Sequence, residues 1–362
     1  MKILIDARES GTTTGRYIDK LIENLAKLDT ELEFMVLSKS HRIEYLKKIA
    51  PKFQIIRSDI KEFTFEEQLN LLRQIQLLSP DLVHFGMVQQ PILYSGKVVT
   101  TIHDLTTLRF NNPDKNFIVF KSKQQIYKQV IKKSIKKSRF IITPSIYTKD
   151  DLIDFSGDSP SKFRVIYEAA DNIKGRSIPY KTLVGTEYIM YVGRPTPHKN
   201  LERLILAYKV LKRKHSKLKL VLVGRTDSNY LRLKKLVQEQ KIKGVIFTGF
   251  IDDLKLKWLY ENTISYVFPS LAEGFGLPSL EAMAHKAPVV SSNTTCLEEI
   301  NGQAALYFNP YDVNDIVDKI EQMLLDKKLR AKYIKEGSKQ VQKYSWINTA
   351  RQTLNVYRDA LS

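Results

Sequence analysis

Short runs rich in β-branched residues alternate with stretches of helical spacing along nearly the whole of this 362-residue chain. No feature constrains the fold more. A strand, a helix and a second strand close a parallel pair through a right-handed crossover, which leaves helices on both faces of the sheet. The fold class is therefore α/β with doubly wound parallel sheets. Strands are expected at Ile3–Ile5, Leu32–Leu37, Phe53–Arg57, Leu82–Phe85, Val98–His103, Phe140–Ser145 and Phe163–Tyr167, with helices Thr14–Leu28, Phe65–Leu78 and Phe117–Ser138 among them. The plan then repeats, with strands Tyr188–Gly193, Leu218–Gly224, Val245–Gly249, Ile264–Pro269, Pro288–Asn293 and Ala305–Phe308. Helices Asn200–Arg213, Tyr230–Gln240, Asp252–Asn262 and Val313–Leu325 separate most of these. Residues 172–186 mix glycine, proline and polar residues without periodicity and read as a linker. Two Rossmann-like domains follow, residues 1–171 and 187–345, facing across a cleft at the carboxyl ends of their strands, where such sheets bind ligands. Helical patterns Lys327–Lys343 and Trp346–Ala360 close the chain, and residues 346–362 form a segment of their own.

The stretch Ser270–Ala284 carries the most chemistry. An apolar strand runs into a loop holding Glu273, Gly274, Phe275, Gly276 and Leu277, then into a helix that has Pro278 in its first turn and bears Glu281. The two glycines allow close backbone approach, and the N–H groups at the helix start favour an anion. Carboxylates at both ends suit hydroxyls. A ligand with sugar, diphosphate and ribose in sequence uses all three features. The segment Val192–Asn200 places Arg194 and Lys199 after the first strand of the second half, a guanidinium and an ammonium suited to a diphosphate leaving group. His103 and Asp104 end a strand of the first half, and taken alone they also fit a core-edge pair. The loop from Asp6 to Tyr17 contains Gly15 and Arg16 at a helix start, without a dinucleotide or P-loop glycine pattern, and Arg16 alone also fits a surface cation.

Together these segments resemble retaining glycosyltransferases of family 4 (glycosyltransferase group 1) with the GT-B fold, and bacterial mannosyltransferases most. The resemblance rests on Glu273-X7-Glu281, Gly193-Arg194 with Lys199-Asn200, His103-Asp104-Leu105 and Gly15-Arg16-Tyr17, and it spans almost the whole chain. It implies that Glu273 contacts the transferred sugar, Glu281 binds the ribose, and Arg194 and Lys199 hold the diphosphate. It places His103 beside the anomeric centre, through its ring or its backbone carbonyl. Gly274, Phe275, Gly276, Leu277, Asp104, Gly15 and Arg16 then border the donor. The last helix is expected to cross back to the first domain. The expected activity is transfer of a hexose from a nucleotide-diphosphate sugar, mannose from GDP-mannose in the first instance, to a glycan or lipid-linked acceptor in surface polysaccharide synthesis. Leu297-Glu298-Glu299 stands where many relatives have Leu-Pro-Glu, so UDP-glucose and UDP-N-acetylglucosamine stay open as donors. A GT-B sugar-nucleotide epimerase is a further alternative, and a basic nucleic-acid- or membrane-binding protein is the non-enzymatic one.

Composition limits the remaining choices. Lysine and arginine number 58 against 39 aspartates and glutamates, a net charge of +19. No zinc-finger, helix-turn-helix or RNA-binding aromatic pattern accompanies that charge, so no nucleic-acid partner is expected. No apolar run reaches the roughly 20 residues of a membrane helix. The start, Met1–Asp6, reads as a strand and not a signal peptide, and the single Cys296 fits a reducing cytoplasm, as a core or helix-start residue. Neither Asp-X-Asp nor His-Glu-X-X-His occurs, so no metal cofactor is expected. Lys115–Lys149 contains ten basic and no acidic residues. Phe117, Phe120, Tyr127, Ile131 and Ile135 share one helical face there, which leaves Lys128, Lys132, Lys133, Lys136 and Lys137 as candidates to face an anionic membrane. A core-packed helix with a solvated basic face is the competing reading. The expected location is cytoplasmic, peripheral at the inner face of the membrane.

Overall fold

A computed structural model describes residues 1–110 and 117–362, with backbone only for 117–123. Lys115 and the side chains of Phe117, Phe120, Lys121 and Lys123 lie outside the described residues. The chain divides into two units. Unit 1 holds Met1–Leu108, Phe117–Glu168 and Ser345–Ser362; unit 2 holds Ala169–Tyr344, with which Arg109 and Phe110 also group.

In unit 1, strands β1 (Lys2–Asp6), β2 (Glu33–Ser38), β3 (Gln54–Arg57), β4 (Leu82–Phe85), β5 (Val98–Thr101), β6 (Phe140–Thr143) and β7 (Phe163–Val165) form one sheet in the order β3-β2-β1-β4-β5-β6-β7. Every pairing is parallel. The central strands are covered on both faces and so are apolar throughout, as Leu82–Phe85 and Val98–Thr101 are, apart from His84 and the two threonines. Helices α1 (Arg16–Leu25), α2 (Ile43–Ile49), α3 (Leu72–Leu78), α4 (Thr106–Arg109), α5 (Phe117–Lys137) and α6 (Ile146–Ser156) make the crossovers and flanks.

Two of these depart from the expectations. The pattern at Phe65–Leu78 begins as a π-helical turn, Glu67–Leu71, before α3. Helix α6 lacks a clean apolar stripe, yet its ends are written in the chain: Ser145 accepts the Thr148 N–H, and Gly157 turns left-handed at the close.

Unit 2 repeats the architecture with β8 (Tyr188–Val192), β9 (Lys219–Val223), β10 (Val245–Gly249), β11 (Ser265–Phe268), β12 (Val289–Ser292) and β13 (Ala305–Phe308), parallel in the order β10-β9-β8-β11-β12-β13. Its helices are α7 (Leu201–Lys214), α8 (Ser228–Glu239), α9 (Asp253–Asn262), α10 (Leu277–Ala284), α11 (Leu297–Asn301), α12 (Val313–Leu325) and α13 (Lys327–Val341). The final helix, α14 (Trp346–Leu361), returns to unit 1 and packs on α1. There the Tyr357 hydroxyl meets His84 Nδ1 at 2.6 Å and the Thr349 hydroxyl donates to the Tyr167 carbonyl at 2.7 Å. In each sheet the strand order reverses once, between β1 and β4 and between β8 and β11. The loops beyond β1, β8 and β11 carry the expected site residues Gly15, Arg194, Lys199 and Glu273, and Arg16 opens the helix after the first of them.

Candidate active site

In unit 2, two loops are tied together at the switch point. Lys199, at the end of the β8 loop, donates to Glu273 Oε1 at 2.6 Å, and both side chains are largely buried. Backbone contacts hold the pair in place. The Leu271 N–H donates to the His198 carbonyl at 2.7 Å. Asn200, left-handed at φ 60°, sends its buried amide to the Pro269 and Pro310 carbonyls at 3.1 and 2.9 Å. Asn200 is thus the clamp between the loops. The Glu273 N–H donates to Thr295 Oγ1, and the Cys296 thiol donates to the Glu273 carbonyl at 3.3 Å. Cys296 precedes α11 and is buried, and burial pushes its thiol well up, so it acts as support and not as a nucleophile.

Gly276 precedes α10 at φ +95°, and a Cβ there would lie 2.7 Å from Leu297, so both conformation and space call for glycine. Gly274 and Phe275 are buried beside it, whereas Leu277 and Glu281 on α10 are partly exposed. Arg194 does not join Lys199. Its side chain is 75% exposed and reaches Asp227, the residue that caps α8, at 3.4 Å.

In unit 1, His103 follows β5 and is held at both ring nitrogens. Nδ1 lies 3.0 Å from Glu168 Oε1, and Nε2 lies 3.2 Å from the Gly86 carbonyl. The Tyr17 ring meets it edge-on, with centroids 4.9 Å apart. Burial works against a charge on His103, but the hydrogen bond and charge of Glu168 outweigh it, and the pKa is raised. Glu168 escaped sequence reasoning. It is a single glutamate beyond an edge strand, with no motif around it. Asp104 takes a local task, accepting the Thr106 N–H at 2.7 Å at the start of α4.

The loop after β1 is equally fixed. A Cβ on Gly15 would sit 1.6 Å from the Glu9 carbonyl oxygen, which excludes every other residue. Arg16, partly exposed, opens α1. At the start of the loop, Arg8 is bonded to Asp6 at 2.7 Å and Glu67 at 2.8 Å, with Arg8 and Glu67 buried and Asp6 nearly so, a cluster the sequence reading did not anticipate. These groups border a small hollow lined by Asp6, Arg8, Gly15, Gly86 and Gln89.

The basic helix α5 buries Ile131 and Ile135 in the core of unit 1. Lys128, Lys132, Lys133 and Lys136 are exposed. Lys137 turns inward to donate to the Pro91 carbonyl at 2.7 Å, and burial lowers its pKa to about 8. Among the described residues, no helix is long and apolar enough to cross a membrane, and no group of three His, Cys, Asp or Glu side chains has the arrangement of a metal site.

With this geometry in hand, the likeness to known proteins is informative. Residues 179–340 match the sequence profile of the group 1 glycosyl transferases, and residues 14–172 match that of glycosyltransferase family 4. The chain is 30% identical over 272 residues to O-antigen chain mannosyltransferase B of Escherichia coli, covering 72% of this chain and 70% of the relative. It is 27% identical over 332 residues to the O-antigen chain mannosyltransferase RfbU of Salmonella typhimurium strain LT2, covering 87% and 89%. The sucrose-phosphate synthase of Thermosynechococcus elongatus has the same fold, with TM-score 0.79 at 20% identity, over 99% of this chain and 98% of that one. The protein belongs to glycosyltransferase family 4 and is a glycosyltransferase of the GT-B fold.

Proposed function

We propose that this enzyme transfers mannose from GDP-mannose, with retention of configuration and without a metal, to a hydroxyl of a glycan or lipid-linked saccharide in surface polysaccharide synthesis. The observation that carries the reading is the Lys199–Glu273 pair at 2.6 Å, held at the switch point of unit 2 just ahead of the α10 N-terminus. The names of two O-antigen mannosyltransferase relatives support the sugar and the pathway class. In this reading unit 2 binds the donor and unit 1 the acceptor. Lys199 and Arg194 receive the diphosphate charge that develops as the sugar C1–O bond breaks. Glu273 accepts sugar hydroxyls and Glu281 ribose hydroxyls, with Gly274, Phe275, Gly276 and Leu277 forming the wall between them. The acceptor oxygen bonds to C1 on the face the diphosphate leaves, and its proton passes to a phosphate oxygen of the leaving group. Gly15, Arg16, His103 and Asp104 border the reacting groups from unit 1. Exposed Lys128, Lys132, Lys133 and Lys136 support docking on an anionic inner membrane face.

A thermal-shift panel of GDP, UDP, ADP and their sugars with chelator present tests the donor, because a ligand that binds only the folded state raises the melting point. GDP compounds are expected to shift the native protein and to shift Glu281→Ala less. A shift from UDP compounds alone moves the donor to UDP-glucose or UDP-N-acetylglucosamine, and loss of the shift in chelator ends the metal-free reading.

A further inference from the structure

Both ring nitrogens of His103 face atoms that only accept. Nδ1 faces a carboxylate oxygen of Glu168 and Nε2 faces the Gly86 carbonyl. A neutral imidazole has one N–H, so it satisfies one of these partners and sets a lone pair against the other. An imidazolium satisfies both. The support behind the carboxylate is firm: Glu168 is 5% exposed, and the preceding Tyr167 carbonyl accepts the Thr349 hydroxyl of α14. The Thr148 hydroxyl donates to the His103 carbonyl at 3.3 Å, which fixes the backbone of the same residue.

We propose that Glu168 is a positioning residue that holds His103 as an imidazolium donating from both nitrogens, so that this histidine brings a fixed positive charge to the transfer reaction and never serves as its base. The role of His103 beside the reacting groups rests on the reading given above; the state of its ring does not. The groups that face the ring agree with the assignment. The charges of Glu168 and Asp104 favour the protonated ring, and His84 is itself kept uncharged by burial. With both ring N–H groups spent, the acceptor proton has to go elsewhere, and the leaving phosphate oxygen is the remaining place in the reaction as written.

Two readouts test this. Nitrogen-15 spectra of histidine-labelled protein, assigned with His103→Gln, report both ring nitrogens directly. At pH 7.5 both are expected to carry protons in the native chain, and in Glu168→Gln the ring is expected to become neutral, with its titration moved down by about one to three pH units. A native ring that is neutral at pH 7.5 overturns the proposal, including the case in which the shared proton sits on Glu168. In kinetics, Glu168→Gln is expected to lower kcat by up to about 100-fold, with KM for the donor within twofold and the alkaline limb of the kcat profile moved toward acid. Glu168→Asp is expected to recover part of both effects. A kcat profile that keeps its alkaline limb in Glu168→Gln also overturns the proposal. If the native chain transfers no sugar at all, the function reading fails while the ring spectra still decide this one. A melt of each variant separates a folding defect from lost positioning.

Discussion

The two units differ in how firmly they match the charge at the carboxyl ends of their strands. In unit 1 the cluster after β1 is buried and already matched: Arg8 is 2% exposed between Asp6 and Glu67. In unit 2 Lys199, at 18% exposure, is likewise matched to Glu273, whereas Arg194 stands in solvent at 75% exposure. A buried pair has given up its water and depends on its partner, so its members are scaffold. An exposed cation keeps most of its hydration and changes partners at little cost, so it is available to a ligand. Unit 1 fixes the shape of its loop with internal charge, and unit 2 leaves the Arg194 charge hydrated.

The comparison breaks first at Arg8. Arg8→Met leaves Asp6 and Glu67 buried without their cation, and denaturant unfolding is expected to show a loss of about 3–5 kcal/mol. If activity fell and stability did not, Arg8 would be a ligand group and unit 1 would resemble unit 2. Lys199→Ala is the converse experiment. Transfer is expected to fall about 10²–10³-fold, with the melting point changed far less than in Arg8→Met. A large loss of stability there would make the Lys199–Glu273 bond scaffold as well.

What the sequence disclosed follows the same division. The strands of both sheets were legible because doubly buried strands are continuous apolar runs. The Lys199, Glu273 and Gly276 loops were legible because glycine, proline and charge fall together within a few residues. The supports were not. Glu67 reaches Arg8 across 59 positions and Glu168 reaches His103 across 65, and no local pattern marks either glutamate. Arg194 is visible in the sequence, but its turn toward Asp227 depends on how β9 and α8 lie beside β8. Lys137 looks like its neighbours on α5 because helical spacing alone does not report that the Pro91 carbonyl lies within reach. Short α2 and α11, of seven and five residues, are too brief for periodicity to declare itself.

Acid sharpens the comparison through His84. Its ring is fully buried, bonded to Tyr357 and Thr101 at 2.6 and 2.9 Å, and burial lowers its pKa to about 3. The unfolded chain binds that proton near pH 6.5, so between there and about pH 3 the unfolded state carries more protons than the folded one. Stability is therefore expected to drop as pH falls below 6.5, by up to about 1.4 kcal/mol per unit. His103 adds no slope in that window. Its pKa is raised, so below 6.5 it is protonated in both states, and its contribution is lost only as pH rises through the raised value. His84→Gln is expected to flatten the acid slope in unfolding experiments. A slope that survives the substitution would assign it to other groups and leave His84 an ordinary polar core residue.

The smallest effect is the most discriminating, because Asp227 does two things at once. It accepts the Tyr230 N–H as the cap of α8, and it faces Arg194 at 3.4 Å. Asp227→Ala removes both and is expected to cost about 1 kcal/mol, the ordinary worth of a lost cap. Asp227→Asn keeps an accepting oxygen for the cap and removes only the charge. Its stability change is expected to stay within ~0.5 kcal/mol, since a 3.4 Å contact to a side chain three-quarters in solvent contributes little. Arg194 is then released from its carboxylate neighbour, so nucleotide-diphosphate affinity is expected to rise modestly in Asp227→Asn, measured by titration calorimetry. A fall in affinity would mean that Asp227 orients Arg194 toward the ligand, and the β8 loop of unit 2 would then be matched in advance, as unit 1 is.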